Sequence, residues 1–319
     1  MIIMEKMRVG ISTCLLGAKV RFDGGHKKDA YVMGTLNDYF EWVSVCPEVE
    51  VGMSTPRESL RLVGTEDDPR LITNKTGEDW TERMNRYAKK RVAALKTNNL
   101  HGYILKSKSP SCGMERVKVY TDKGMPNKNG RGLFAKVLLE QMPYLPVEEE
   151  GRLHDHRIRE NFIIRVFSHY RWDQMLAQGR VGVKQLVAFH AEHKFLIMAH
   201  SETHMRQLGK LVAQGSAQKP ADLVKTYGEL FFEALTRKAT IRRHVNVLEH
   251  IAGFFKKEIS AEDRAELKGA IEDYRLELVP LIVPMTLIRH HTRTIKDTYI
   301  SNQVYLNPHP KELMLLNHV

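Results

Sequence analysis

Two domains of different class are predicted: an α/β N-terminal domain over residues 1–148, Rossmann-like with a mainly parallel sheet, and an all-α helical C-terminal domain over residues 149–319. Three observations predict this division. In the first half, short apolar runs alternate with longer segments of helical period, as in successive β-α units. In the second half, apolar residues recur at three- and four-residue spacing with few strand-like stretches. Between them, Met142-Pro143-Tyr144-Leu145-Pro146 and then Glu148-Glu149-Glu150-Gly151 interrupt any periodic pattern. A length of 319 residues is enough for two such cores.

The first-half strands are expected at Arg8–Thr13, Trp42–Val45 and Gly102–Leu105, with helices at Tyr31–Phe40 and Thr81–Asn98. In the second half, helices are expected at Ile158–Leu176, Val183–His200, Leu223–Leu235, Ile241–Lys257 and Ala261–Ile288. Ser260 with Asp263 fits a capping box before the last of these. No internal repeat or low-complexity tract interrupts the chain.

A composition of 42% hydrophobic and 27% charged residues is that of a globular protein in water. No apolar run approaches the roughly 20 residues that cross a bilayer, and Met1–Gly10 lacks the apolar core of a secretory signal. The expectation is a cytoplasmic protein with no membrane partner and no obligatory protein partner. Its formal charge of +11 makes a polyanion an attractive partner, the alternative being a basic surface that is merely solvated. The 3 cysteines are odd in number and far apart, which argues for reduced thiols over a disulfide framework.

Each cysteine closes a predicted strand or lies in the loop leaving it. In a parallel sheet the carboxyl ends of the strands gather on one edge, so three distant thiols can meet there. The surrounding loops are rich in small and hydroxyl residues: Ser12-Thr13-Cys14, Cys46-Pro47-Glu48, and Ser107-Lys108-Ser109-Pro110-Ser111-Cys112-Gly113. Small residues let backbone amides approach cluster sulfurs, and Lys106 and Lys108 are expected to favour thiolate. On spacing alone three readings stay open: buried small hydrophobes, a zinc site completed by His or Glu but lacking the usual Cys-x-x-Cys pairs, and an iron–sulfur cluster.

Three blocks sharpen the choice: Ile11-Ser12-Thr13-Cys14-Leu15-Leu16-Gly17 with Arg21-Phe22-Asp23-Gly24; Val45-Cys46-Pro47-Glu48 through Gly52 to Thr55-Pro56-Arg57-Glu58; and Leu105 through Ser109-Pro110-Ser111-Cys112-Gly113. In these blocks, which span most of residues 7–140, the chain resembles the TudS-like thiouracil desulfidase family. Residues 151–319 resemble the helical YbgA-like domain often fused behind it, on a general pattern that includes His190-Ala191-Glu192-His193. Together the pair is similar to the tRNA 4-thiouridine desulfidase (RudS-type) enzymes. The resemblance implies a 4Fe-4S cluster on Cys14, Cys46 and Cys112 with one iron free of protein ligands. It also implies a catalytic glutamate and serine, matched here by Glu48 and Ser109. The expected reaction converts 4-thiouridine in tRNA to uridine, with release of sulfide and no net redox change. Asp23, Arg57 and Ser111 are candidates to shape the pocket or hold substrate.

For the tRNA, basic clusters in the helical half are the expected grip. The candidates are Arg157, Arg159 and Arg165 on one helix, Arg237 and Lys238 with Arg242, Arg243 and His244 at a helix junction, and Arg289, His290, His291, Arg293 and Lys296 near the end, followed by Tyr299 and Tyr305 where bases could stack. The bland alternative for each is a solvated helix face. His190 with His193, and His200 with His204, share a helical face, and packing is preferred to metal binding for both pairs. Two further functions remain in view: a desulfidase of free thiolated bases such as 2-thiouracil, and a nucleic-acid-binding regulator whose cluster or thiols sense oxidants.

Overall fold

A computed structural model of the chain describes residues 6–121, 125–295 and 298–318. It divides into two compact units, Met1–Asp155 and His156–Val319. The first runs β1 (Met7–Ser12), α1 (Ala30–Gly34), β2 (Phe40–Val45), α2 (Pro47–Glu50), β3 (Leu60–Gly64), β4 (Pro69–Thr73), α3 (Thr81–Lys96), β5 (Gly102–Leu105), β6 (Val117–Tyr120), β7 (Pro126–Gly130), α4 (Leu133–Gln141) and β8 (Val147–Glu149).

Four of these strands form a parallel sheet in the order β2-β1-β5-β8. Val9 of β1 sits opposite Trp42 on one side and Gly102 on the other. Val9, Gly10, Ile11 and Ser12 are consecutive and all buried, as a central parallel strand covered on both faces requires. Gly10 has no side chain because the Tyr103 ring lies there: a Cβ would come within 2.1 Å of it. The expected strands are therefore present, and the α/β class with them.

A second sheet, ordered β4-β3-β6-β7, mixes antiparallel and parallel pairs and had no counterpart in the sequence reading. Its strands are short and mostly half-exposed, so their apolar runs are too brief to register. The helix expected over Tyr31–Phe40 is also shorter: Asp29 caps α1 by accepting from the Val32 amide at 2.9 Å, and a 3-10 turn follows at Leu36–Asp38. Phe40 belongs to β2, where it pairs with Met7.

The acidic stretch near the expected 148/149 boundary is not a solvated linker. Val147–Glu149 is the edge strand β8, with Tyr103 opposite Val147. The α4 helix then fixes the loop that carries Cys112. Its first-turn amides, which lack partners within the helix, donate to that loop: Leu133 N to Pro110 O at 3.2 Å and Phe134 N to Ser111 O at 3.0 Å. Gly132 permits this approach, since a Cβ would lie 2.5 Å from the Ser111 carbonyl.

The second unit is helical: α5 (His156–Ala177), α6 (Val183–His200), α7 (Glu202–Ala213), α8 (Pro220–Thr236), α9 (Ile241–Phe254), α10 (Ala261–Arg275), α11 (Ile282–Ile295) and α12 (Thr298–Ser301). Its core is aromatic around Trp172, whose ring stacks 5.7 Å from Tyr227 and meets Phe189 edge-on at 5.3 Å. Ser260 caps α10 as expected, accepting from the Asp263 amide at 3.0 Å. The single helix expected over Ala261–Ile288 is broken between Arg275 and Ile282. Glu277 there adopts a φ of +59 and Pro280 supplies no amide donor, so the helical ladder cannot run through. The α7 helix was not anticipated; Ser201 caps its start. No described helix is long and apolar enough to cross a membrane.

Three histidines of this unit, His193, His200 and His244, are buried packing residues. His193 stacks on Phe189 at 3.8 Å and donates Nδ1–H to the Phe189 carbonyl at 2.8 Å. His200 bonds the Arg237 carbonyl, and His244 bonds the Tyr305 hydroxyl at 2.9 Å. Burial lowers the pKa of His193 and His244 to about 3 and that of His200 to about 4.

Two outcomes are expected. The three buried histidines are neutral when folded but titrate near 6.5 when unfolded, so the unfolded chain binds the extra protons. Helical-unit stability should therefore be intact above pH 6.5 and fall on acidification toward pH 4 by about 1.4 kcal/mol per pH unit per histidine. Urea unfolding at stepped pH, followed by circular dichroism, measures it. Gly132→Ala should push the cysteine loop off α4 and destabilise the chain by about 1–3 kcal/mol in the same assay.

Candidate active site

The strands β2, β1 and β5 are neighbours and run in one direction, so the loops that leave them emerge side by side. Those loops carry Cys46, Cys14 and Cys112 respectively. Cys14 lies in a 3-10 turn, Thr13–Leu16, that ends on Gly17 in the left-handed region at φ +96. Cys46 precedes α2, with Pro47 at the first helical position and the Glu50 carboxylate accepting from its amide at 3.1 Å. In the third loop the Cys112 amide donates to Ser109 Oγ at 3.2 Å. All three thiols border one cavity of about 380 Å³.

Burial pushes the Cys14 thiol up to about 11, against the pull of the Lys106 ammonium, and raises Cys46 and Cys112 as well. The Lys106 charge does favour the Cys14 thiolate, as expected, but the effect of burial is larger. Lys106 is already paired with Glu150. A metal group entering here must displace thiol protons. Among the described residues no three His, Cys, Asp or Glu side chains gather closely enough to hold one metal ion. Three soft donors spread around a cavity fit the ligand preference of an iron–sulfur cluster, and do not fit a single zinc ion with its ligands at about 2.0–2.3 Å.

Beside the thiols stands a hydrogen-bonded chain. Arg57 grips one oxygen of Glu48, donating from Nε at 3.0 Å and from an Nη at 2.5 Å. The side chains are only 7% and 15% exposed, so this pair is shielded from water. The other Glu48 oxygen accepts from Ser111 Oγ at 2.7 Å, and Ser109 Oγ lies 3.0 Å from Ser111 Oγ. A hydroxyl has one hydrogen. With Ser111 donating to the carboxylate, Ser109 must donate to Ser111, which makes a directed relay from Ser109 to Glu48. Glu48, Arg57, Ser109 and Ser111 all line the cavity with the cysteines.

Asp23 does not join them. It accepts from the Gly25 amide at 3.0 Å and from Arg21 Nε at 3.3 Å, and so closes its own turn. Residues that sequence reasoning missed supply much of the support. Glu150 accepts from the Ser107 amide at 2.7 Å and from Ser107 Oγ at 2.8 Å, besides pairing with Lys106. Glu149 accepts from the Met114 amide at 2.7 Å. Ser12 Oγ accepts from the Lys106 amide at 2.9 Å. The only sequence signal for the glutamates was the acidic run, which looked like a boundary.

The candidate RNA contacts divide. Arg242, His290 and Arg293 are exposed. Arg243 instead donates to the His200 carbonyl at 2.9 Å, and Arg289 to the Leu306 carbonyl at 2.7 Å. Both guanidiniums hold chain segments together. Tyr305 is 3% exposed and bonded to His244, so it offers no face to a base; Tyr299 packs against Phe195 and Phe254. Lys296 lies outside the described residues.

Comparison with known proteins covers both units. A family described as 2-thiouracil desulfurase matches residues 9–150, and one described as a protein of unknown function, DUF1722, matches residues 194–310. An Escherichia coli K12 protein called YbgA is 29% identical over 160 residues, covering 50% of this chain and 94% of its own length. A Bacillus subtilis 168 protein called YbbK is 35% identical over 144 residues, covering 44% of this chain and 93% of its own. A solved structure described as a [4Fe-4S]-dependent thiouracil desulfidase, TudS, is 27% identical, covers 47% of this chain and 95% of that one, and superposes with a TM-score of 0.38. The match over residues 9–150 takes in every residue that borders the thiol cavity, and through it the chain belongs to the 2-thiouracil desulfurase family of sulfur-removing enzymes.

Proposed function

We propose that this chain removes the sulfur of 4-thiouridine in tRNA, with a 4Fe-4S cluster held by Cys14, Cys46 and Cys112. The observation that carries the reading is the cavity that collects three thiols with Glu48, Ser109 and Ser111. Overall, one water is consumed, the thiocarbonyl becomes a carbonyl and one hydrogen sulfide leaves, so the carbon keeps its oxidation state. When bound, a cluster with three cysteine ligands supplies an iron open to a soft thiocarbonyl sulfur and acts as a Lewis acid.

The oxygen of the product comes from water, and the attacking water must lose a proton. Glu48 is placed to receive it: Arg57 occupies one carboxylate oxygen, and the other faces the serine relay. Ser109 and Ser111 orient the water and pass its proton to that oxygen. Val20, Val45 and Leu60 complete the cavity wall and limit entry of bulk water.

The formal charge of +11 supports a polyanionic substrate. Among the candidate contacts on the helical unit, Arg242, His290 and Arg293 are exposed and can meet phosphates. A second reading, favoured by the family's description, is desulfuration of a free thiolated base such as 2-thiouracil.

Anaerobic reconstitution followed by parallel assay of thiolated tRNA and free 2-thiouracil separates the two. Loss of thiocarbonyl absorbance with sulfide release from the tRNA is the expected result; sulfide from the free base alone would sink the tRNA reading. Cys14→Ala, Cys46→Ala and Cys112→Ala should each lose both cluster absorbance and turnover. Glu48→Gln should keep the absorbance while turnover falls by about 100-fold or more. Binding of tRNA should weaken steeply between low and high salt in a filter-binding titration, and a flat salt dependence would contradict the phosphate contacts.

A further inference from the structure

Phe22 is a large apolar side chain that the fold leaves in water, 41% exposed, on the wall of the thiol cavity. Its position is held from several sides. The Gly24 amide donates to the Arg21 carbonyl at 3.0 Å and the Arg21 amide to the Gly25 carbonyl at 3.2 Å, closing a tight turn that carries Phe22. Gly24 takes a φ of +72 in that turn, and Asp23 ties its two sides together. The Arg57 amide donates to the Phe22 carbonyl at 2.8 Å, and the Arg57 guanidinium to the Val20 carbonyl at 3.0 Å. The residue that grips Glu48 thus also fixes Phe22. The Arg21 guanidinium lies 5.4 Å from the Phe22 ring centroid, in cation–π range.

An exposed phenyl ring on a fixed backbone, beside a guanidinium and on the wall of a pocket, suits a flat heteroaromatic ring. Single-stranded bases are bound by stacking on such aromatic and arginine planes. Two further cations border the same cavity, Lys27 and Lys108, both exposed and with no carboxylate partner among the described residues. Their backbones are fixed relative to the thiols. The Lys27 amide donates to the Cys14 carbonyl at 2.9 Å, and Lys108 holds a left-handed φ of +59 in the Cys112 loop. A free base carries no phosphate for them to meet, whereas a nucleotide within RNA carries one on each side.

We propose that Phe22, backed by Arg21, is the stacking platform for the thiolated pyrimidine, and that Lys27 and Lys108 take the phosphates flanking that nucleotide in RNA. This rests on the desulfidase reading above and adds how the site distinguishes a base in RNA from a free one. Asp23 then contributes by holding the platform, not by touching substrate.

The test uses the cluster-loaded full chain. A labelled oligoribonucleotide with one 4-thiouridine is titrated by fluorescence anisotropy beside steady-state desulfuration of the same oligonucleotide and of free 4-thiouridine. Phe22→Ala should weaken binding and raise KM roughly 5- to 150-fold, with the loss in KM and not in kcat. Phe22→Tyr and Phe22→Trp should restore it. The paired change Lys27→Ala with Lys108→Ala should weaken the oligonucleotide far more than the nucleoside and lower the salt slope by about 2. Unchanged binding in Phe22→Ala, or failure of both aromatic variants to restore it, overturns the platform. Equal weakening of nucleoside and oligonucleotide in the lysine variant overturns the phosphate contacts. If Phe22 governs binding but the wild type releases no sulfide, the desulfidase reading falls and the platform stands. The reverse result, sulfide release indifferent to Phe22, removes the platform alone.

Discussion

Parallel pairing of β2, β1 and β5 is the constraint from which the site follows. Hydrogen bonding in one direction brings the carboxyl ends of all three strands to one edge, and the loop that leaves each carries a cysteine. The close approach of β1 to β5 depends on Gly10, whose missing side chain leaves room for the Tyr103 ring. A bulkier residue there would separate the strands that hold Cys14 and Cys112. The spacing of the thiols is therefore a property of the sheet, and the loops refine it.

Carboxylates do the refining. Glu48, Glu149 and Glu150 all lie largely out of water; arginine and serine satisfy Glu48, lysine, serine and a backbone amide satisfy Glu150, and the Met114 amide donates to Glu149. A buried carboxylate without partners is costly, and one with a full set fixes its donors in place. Glu149 and Glu150 anchor the segment from Ser107 to Met114 that contains Ser109, Ser111 and Cys112. Edge strand β8 thus reaches the chemistry through its side chains while completing the sheet with its backbone.

The helical unit shows how formal charge can overstate a nucleic-acid surface. Arg171, Arg243 and Arg289 all donate to main-chain carbonyls of distant segments. Such bonds satisfy carbonyls at helix ends and loops, and they withdraw the cations from any ligand. The cations on the thiol cavity differ, because Lys27 and Lys108 extend from backbone already fixed to the cysteine loops.

Much was legible in the sequence because it is written locally. Period and breakers announced an α/β half and a helical half, three strands of the main sheet stood within two residues of their expected ends, and each cysteine visibly followed a strand. The blocks around Cys14, Cys46 and Cys112 marked Glu48, Ser109, Arg57 and Ser111 as site candidates, together with Asp23, which instead closes its own turn. Contacts between residues far apart in the chain left no such trace. The Glu150 partnership with Ser107, the serine relay onto Glu48, the exposure of Phe22 and the burial of Tyr305 were decided by tertiary structure alone. A side chain's partners across a long separation depend on how elements pack, and no periodicity in the sequence encodes that packing.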